Sequence, residues 1–314
     1  MKTIPCNYCR SKDFITLYKI PDLLLGNEDT KGVFVKCLNC GLIYQNPQLS
    51  LDELEEHYPP DYLCYQSDNS SKVGFNIQHF LYQYGLKQRY FTLMRYKRNG
   101  KVLDLGCATG AFLNMLKQNS NFIPYGLEVN QFAAKKAQEK LDNIYVGTLE
   151  DSSYEDNFFD VVTLWDVFEH LHDPLGSLRE IFRILSNNGI IIMRIPNHNS
   201  WEARLFDSNW SGLDAPRHLY IFTPEIIKLY LKRTRFRLLH LSTKTGNFST
   251  SQLSIKFWLD RNNINPKFRN ILIKIFDMPL TRLLLFPMFR IPGMFNKGSV
   301  MTIIAEKSID RFVS

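Results

Sequence analysis

Leu103-Asp104-Leu105-Gly106-Cys107-Ala108-Thr109-Gly110 is an apolar run that breaks into a glycine turn and passes straight into the helical pattern Ala111-Phe112-Leu113-Asn114-Met115-Leu116. Glycine has no Cβ and tolerates positive φ, so such a turn lets the backbone approach a ligand closely. The next apolar segment, Phe122 to Leu127, ends in Glu128. That acid follows the turn by about 20 residues, the separation at which a carboxylate can accept both hydroxyls of a ribose. Together these features read as a site for a nucleoside cofactor.

The glycine spacing separates two cofactor classes. Dinucleotide sites use G-x-G-x-x-G, with a helix N-terminus facing a pyrophosphate. Here the pattern is Asp104-x-Gly106-x-x-x-Gly110, with Ala108 where the central glycine would stand. The acid ahead of the first glycine suits a cationic ligand better than a diphosphate. This resembles motif I of the class I S-adenosylmethionine-dependent methyltransferases. The resemblance implies that Asp104 lies near the cofactor's amino-acid part and that Glu128 holds its ribose. Gly106, Cys107, Gly110, Val129 and Trp165 complete the expected cofactor shell, with Leu149 and Glu150 flanking the adenine. Relatives often carry Asp where Thr148 stands, so a backbone contact or Glu150 would replace it. Cys107 reads as a small packing residue within the turn.

Apolar strands then alternate with helical patterns, as a parallel sheet demands. The strands are Val102 to Leu105, Ile123 to Leu127, Asn143 to Val146, Phe159 to Trp165, Ile190 to Ile195, Phe236 to Thr243 and Val300 to Glu306. They give an α/β fold, a seven-stranded Rossmann-like methyltransferase sheet, preceded by a zinc-ribbon module. The expected organisation is a ribbon over 1–47, a linker with lead-in helices over 48–98, the core over 99–246, an apolar basic helical insertion over 247–297, and a last strand and tail over 298–314. In the lead-in, Ser50 to His57 carries a helix-capping signal, and Phe75 to Tyr96 has helical apolar spacing. A polar linker spans Ser67 to Lys72, and Tyr58, Tyr62 and Tyr65 could cover the cofactor cleft or pack under the ribbon.

Four of the six cysteines form two tight pairs, Cys6/Cys9 and Cys37/Cys40, with Gly41 directly after the second. The i,i+3 spacing points both thiolates of a pair at one ion, which predicts a closed, structural four-cysteine zinc site. Such a metal supplies folding energy to a segment too short for its own core. Cys64 and Cys107 are left over.

Phe159-Asp-Val-Val-Thr-Leu-Trp-Asp-Val-Phe-Glu-His-Leu-His-Asp-Pro174 resembles the corresponding run in ubiquinone-biosynthesis O-methyltransferases, where the fourth strand opens into an acidic-histidine turn. Asp166, Glu169 and His170 would share one face if the chain is helical there. His170 could deprotonate a substrate hydroxyl with Glu169 orienting it. Alternatively, Asp166, Glu169 and His170 could hold a divalent cation, or the acids could cap and pair the adjoining helix. A second segment, Arg217-His218-Leu219-Tyr220, makes His218 the competing base and Arg217 a clamp for an anionic substrate group. His198 also falls near the cleft, while His57, His79 and His240 read as structural. The Asn-Pro-Pro-Tyr signature of amino-methylating nucleic-acid enzymes is absent after the fourth strand, where Trp165-Asp-Val-Phe168 stands.

The 314 residues are 45% apolar and carry a net charge of +7, modest for a chain this long. No uninterrupted apolar run approaches the roughly 20 residues that span a bilayer, and the first residues lack a signal core. A cytoplasmic protein is expected, with peripheral membrane contact or internal packing through 268–295. That segment has 17 apolar residues in 28, with Arg269, Lys274, Arg282 and Arg290 against Asp277. Zinc-ribbon methyltransferase chains resembling this one act in antibiotic-sugar and surface-polysaccharide pathways. The resemblance implies O-methylation of a small molecule, a sugar or glycan, or a lipid-linked acceptor, with sugar C-methylation as the alternative. RNA binding through the ribbon is a second class; nucleic acid is the poorer expectation, because the ribbon's basic residues are scattered among acids. Homodimerisation stays open.

Overall fold

The computed structural model describes residues 1–58, 77–244, 247–262 and 264–308. The strands are β1 (Phe14–Asp22), β2 (Asn27–Cys37), β3 (Ile43–Gln45), β4 (Asn99–Leu105), β5 (Asn121–Glu128), β6 (Ile144–Val146), β7 (Phe159–Trp165), β8 (Leu185–Pro196), β9 (Tyr220–Ile221), β10 (Phe236–Ser242) and β11 (Val300–Lys307). The helices are α1 (Leu51–Glu55), α2 (Ile77–Tyr96), α3 (Ala111–Asn119), α4 (Gln131–Gln138), α5 (Pro174–Ile184), α6 (Trp201–Phe206), α7 (Pro224–Arg233), α8 (Asn247–Arg261), α9 (Pro266–Asp277) and α10 (Pro279–Met294). The expected linker Ser67 to Lys72, with Tyr62, Cys64 and Tyr65, lies outside the described residues.

Seven strands form the larger sheet in the order β10-β11-β8-β7-β4-β5-β6. β4 pairs in parallel with β5 and β7, β5 with β6, and β7 with β8. β11 runs antiparallel to β8 and β10. All seven expected strands are present. β8 begins earlier than Ile190: Leu185 already pairs with Phe159, and Asn188, at φ 60°, sits at an irregularity inside the strand. Asn tolerates the left-handed region, so Asn188-Gly189 interrupts the strand here. The central strands are apolar on both faces, with Val161, Val162, Ile191 and Ile192 fully buried, because helices cover the two sides of a parallel sheet. The chain leaves β4 towards β5 and β6 and then returns to β7 on the other side. That reversal opens a crevice at the carboxyl ends of β4 and β7, where ligands of open α/β sheets bind.

The cysteine-bearing segment makes a second sheet, ordered β1-β2-β3-β9. Its last strand comes from the far side of the chain: Ile43 pairs with Ile221 and Tyr44 with Tyr220. Val35, Leu42 and Tyr44 join the same apolar cluster as Leu164, Met193 and Phe222, as expected of a segment too small to bury a core alone. Asn7, between the first two cysteines, locks the contact. Its amide donates to Asp173 at 2.8 Å, and its carbonyl oxygen accepts from the Leu175 N–H and the Tyr230 hydroxyl. The capping signal at Ser50 is realised as a reciprocal box with Glu53 at the start of α1. No helix among the described residues is long and apolar enough to cross a membrane.

Candidate active site

The glycine turn forms a cradle at the end of β4. Gly106 has φ 66°, and a Cβ there would stand 2.6 Å from a Val167 methyl, so only glycine fits. The Ala108 and Asn130 N–H groups donate to the two oxygens of Glu128, each at 2.9 Å. This fixes a carboxylate at the end of β5 with lone pairs to spare for further donors. Asp104 is buried and accepts the Thr163 hydroxyl at 2.5 Å; burial pushes its carboxyl up to about 7.

These groups open on one cavity of about 1650 Å³. It is lined by Asp104, Gly106, Cys107, Glu128, Val129 and Trp165, and on its far wall by Leu149 and Glu150. Gly110 is not part of that lining. It is the N-cap of α3 at φ 74°, where a Cβ would stand 2.8 Å from Leu141. Thr148 donates to Asp151, and Glu150 accepts the Ser177 hydroxyl at 3.1 Å. The volume exceeds the roughly 300–1,000 Å³ of a site for one drug-sized ligand. The pocket thus has room for a nucleoside cofactor and a second molecule. The glycine that only a missing Cβ permits, the fixed Glu128 and the buried Asp104 fit S-adenosylmethionine.

The expected common face of Asp166, Glu169 and His170 does not form. Phe168–His170 is a single 3-10 turn, and Asp166 precedes it with its backbone at φ 60°. Despite burial, the Arg194 guanidinium holds the Asp166 carboxyl below its ordinary range. Arg194 Nε donates to it at 2.9 Å, and Arg89 lies 3.6 Å away. Asp166 is thus engaged by two arginines and is not part of the close cluster of possible ligands around Glu169 and His170. The third member of the cluster is His218: ligand atoms of Glu169, His170 and His218 lie within 4.8 Å of one another.

The two imidazoles sit edge to face, ring centroids 4.7 Å apart, and both line the cavity. His218 Nδ1–H donates to the Gly212 carbonyl at 2.8 Å. His170 Nδ1–H faces the Arg217 carbonyl and the Tyr58 hydroxyl, each at 3.0 Å. Backbone acceptors on Nδ1 leave each Nε2 as the unprotonated nitrogen. Burial, and then His218, drive the His170 pKa down to about 3; burial lowers His218 as well. Both rings are accordingly neutral near pH 7. Glu169 lies behind them, with Oε1 4.0 Å from His218 Nε2 and neither oxygen hydrogen-bonded. Burial, reinforced by Asp166, raises its carboxyl well above the usual range.

Arg217 is not a clamp for substrate. It is fully buried and forks onto Asp22 at 2.8 and 2.9 Å and onto Asp214 at 2.6 and 3.0 Å. His57 completes this cluster at 2.9 Å from Asp22. His198 packs against Trp210 away from the cavity lining. Two lining residues escape the motif reading. Arg89 on α2 lies over the Trp165 ring at 5.3 Å, and Arg194 follows the apolar run Ile190 to Met193 of β8. The second was visible as a charge in Ile190-Ile-Ile-Met-Arg194-Ile; the first sits among several polar residues on its helix.

At the ribbon, Cys6 and Cys40 Sγ are 3.5 Å apart, as are Cys9 and Cys37 Sγ. All four sulfurs lie within 4.8 Å of one another. That spacing is too long for disulfides and fits the edges of a four-thiolate zinc tetrahedron.

A family model described as a methyltransferase domain matches residues 77–241, just over half of the chain. An uncharacterized protein of Methanocaldococcus jannaschii is 36% identical over 33% of this chain and 44% of its own length. A ubiquinone biosynthesis O-methyltransferase of Vibrio campbellii is 30% identical over 32% of this chain and 45% of its own. A tRNA U34 carboxymethyltransferase of Aliarcobacter butzleri is 25% identical over 57% and 60%. The chain thus spans about half the length of these relatives. Among solved structures, a geranyl diphosphate methyltransferase in complex with SAM aligns over 77% of this chain and 94% of its own, with a TM-score of 0.50 and 11% identity, a likeness of fold.

Proposed function

As the chain belongs to the methyltransferase-domain family, we propose that it is an S-adenosylmethionine-dependent enzyme that methylates an oxygen of a small molecule, a sugar or glycan, or a lipid-linked acceptor. The supporting observation is the pair of neutral imidazoles, His170 and His218, each held through Nδ1 with Nε2 free, on the cavity that contains the Glu128 cradle. S-adenosylmethionine bound in that cradle would supply a methyl group already activated on a sulfonium. Glu128 would take the ribose hydroxyls, and Asp104 would face the positively charged methionine end. Arg89, beside Asp104 and Trp165, is placed for the methionine carboxylate.

What remains for the protein is alignment and the removal of one proton. His218 Nε2 would accept the proton of the acceptor hydroxyl as its oxygen bonds to the methyl carbon, with His170, its pKa driven down to about 3, the weaker candidate. The bound cofactor would supply the methyl group and keep the electron pair of the broken carbon–sulfur bond on sulfur as a neutral thioether. Glu169 does not orient either ring, since neither of its oxygens is hydrogen-bonded; the Gly212 and Arg217 carbonyls hold the two imidazoles through Nδ1. The four cysteines would carry a structural zinc.

The test is turnover with methyl-labelled cofactor and hydroxyl-bearing acceptors, alongside calorimetric cofactor binding. His170→Ala and His218→Ala are expected to bind cofactor normally. At least one should lose turnover by about 100-fold or more, the usual contribution of a general base. Full activity in both variants would remove the histidines from the chemistry.

A further inference from the structure

Between β10 and β11 the chain turns apolar side chains towards solvent. On α9, Phe268, Ile271 and Ile275 are about half exposed and lie on one helical face. On α10, Leu283 and Leu284 are each 71% exposed and Met294 65%. Their inner faces are fastened to the body of the protein. Phe276 packs on Phe248 of α8 at 5.0 Å, and a Cβ on Gly293 would stand 2.7 Å from the Thr243 carbonyl. The outward stripe is thus a presented surface of a docked hairpin.

Charge narrows what covers it. Lys267 and Lys274, both exposed, border the α9 stripe at helical spacing, and Arg290 borders that of α10. Arg269 of α9 is ion-paired with Asp260, so the basic rim consists of Lys267, Lys274 and Arg290. A second copy meeting this face would bring like-charged rims together, which is costly. An anionic lipid surface matches both the basic rim and the apolar stripe. Position agrees as well. β10 runs parallel to β8, so α8 leaves from the sheet edge on which the cavity opens. Ser254 of α8 accepts the Ser211 N–H, next to the Gly212 that orients His218.

We propose that α9 and α10 dock this protein on an anionic bilayer surface, with the apolar stripe in the headgroup–acyl boundary and the cavity edge towards the lipid. The whole chain is tested by flotation with phosphatidylcholine vesicles, with and without phosphatidylglycerol, at low and high salt. Wild type should float with the anionic vesicles and less so in high salt. Leu283→Glu/Leu284→Glu, with cofactor binding measured in parallel to establish folding, should bind the vesicles at least roughly tenfold more weakly. Wild type left wholly in the protein fraction would overturn the proposal, as would a variant that floats equally well. A wild-type dimer in light scattering that the same substitutions split, with neither protein floating, would assign the face to a second copy.

Discussion

The side-chain amide of Gln45, on the last ribbon strand before the core, donates to the main-chain carbonyls of Pro216 and His218, at 2.9 and 2.7 Å, in a buried setting. With the Tyr44–Tyr220 pairing, this makes the cysteine-bearing sheet the support for one of the two candidate bases. Gln45→Leu leaves two buried carbonyls without that donor, a loss of about 1–3 kcal/mol. Thermal unfolding should begin at lower temperature, and turnover should fall while cofactor affinity, set at the ends of β4 and β5, stays put. An equal fall in both would mean a general loosening.

Metal removal should act along the same route. A chelator strong enough to strip a four-thiolate site should release about one zinc per chain, because the four sulfurs are spaced for a single ion. Activity should be lost with the metal while most far-UV ellipticity remains, since the cysteines lie outside the seven-stranded sheet. Zinc analysis and circular dichroism on the same samples check this; stripped protein with full turnover would make the ribbon dispensable.

Arg217 is fully buried and forked between Asp22 of the ribbon hairpin and Asp214 of the core. Arg217→Met leaves two buried carboxylates without their shared cation, with His57 beside Asp22 and His218 beside Asp214. A cost of about 3–5 kcal/mol is expected, visible as a fall of many degrees in the unfolding midpoint. A substrate-binding role would instead raise KM with the midpoint unchanged.

The fold, and the gathering of Asp104, Gly106 and Glu128 on one cavity, are legible because they depend on local rules: strand, glycine turn, helix, and a carboxylate at the next strand's end. The clustering of the four cysteines is legible because two i,i+3 pairs each turn both sulfurs to one side. Arg217 was misread because its partners, Asp22 and Asp214, lie 195 and 3 residues away, and only the folded chain brings both to it. The Asp166 trio failed for a related reason. A left-handed residue ahead of a 3-10 turn breaks the i, i+4 geometry, and His218 arrives from another segment to take the vacant place. Tertiary supply of a partner is not encoded in spacing.

Asp104 yields the sharpest pH test. Burial lifts its carboxyl to about 7 in the ligand-free protein, above the unfolded value near 3.9. Its neutral form is therefore favoured by folding, and the stability it contributes is lost as pH rises through 7. A cation placed beside it favours the carboxylate. Binding should then release up to one proton near neutrality and tighten as pH rises from about 6 to 8. The cofactor's own α-amino group titrates near that range, so the readout is the difference between wild type and Asp104→Asn. Calorimetry in buffers of unequal ionisation enthalpy should find extra proton release in wild type, absent in the variant, and a gap in affinity that widens to roughly tenfold by pH 8, the value of one pKa unit. Parallel pH profiles for the two proteins would place the methionine end of the cofactor away from Asp104.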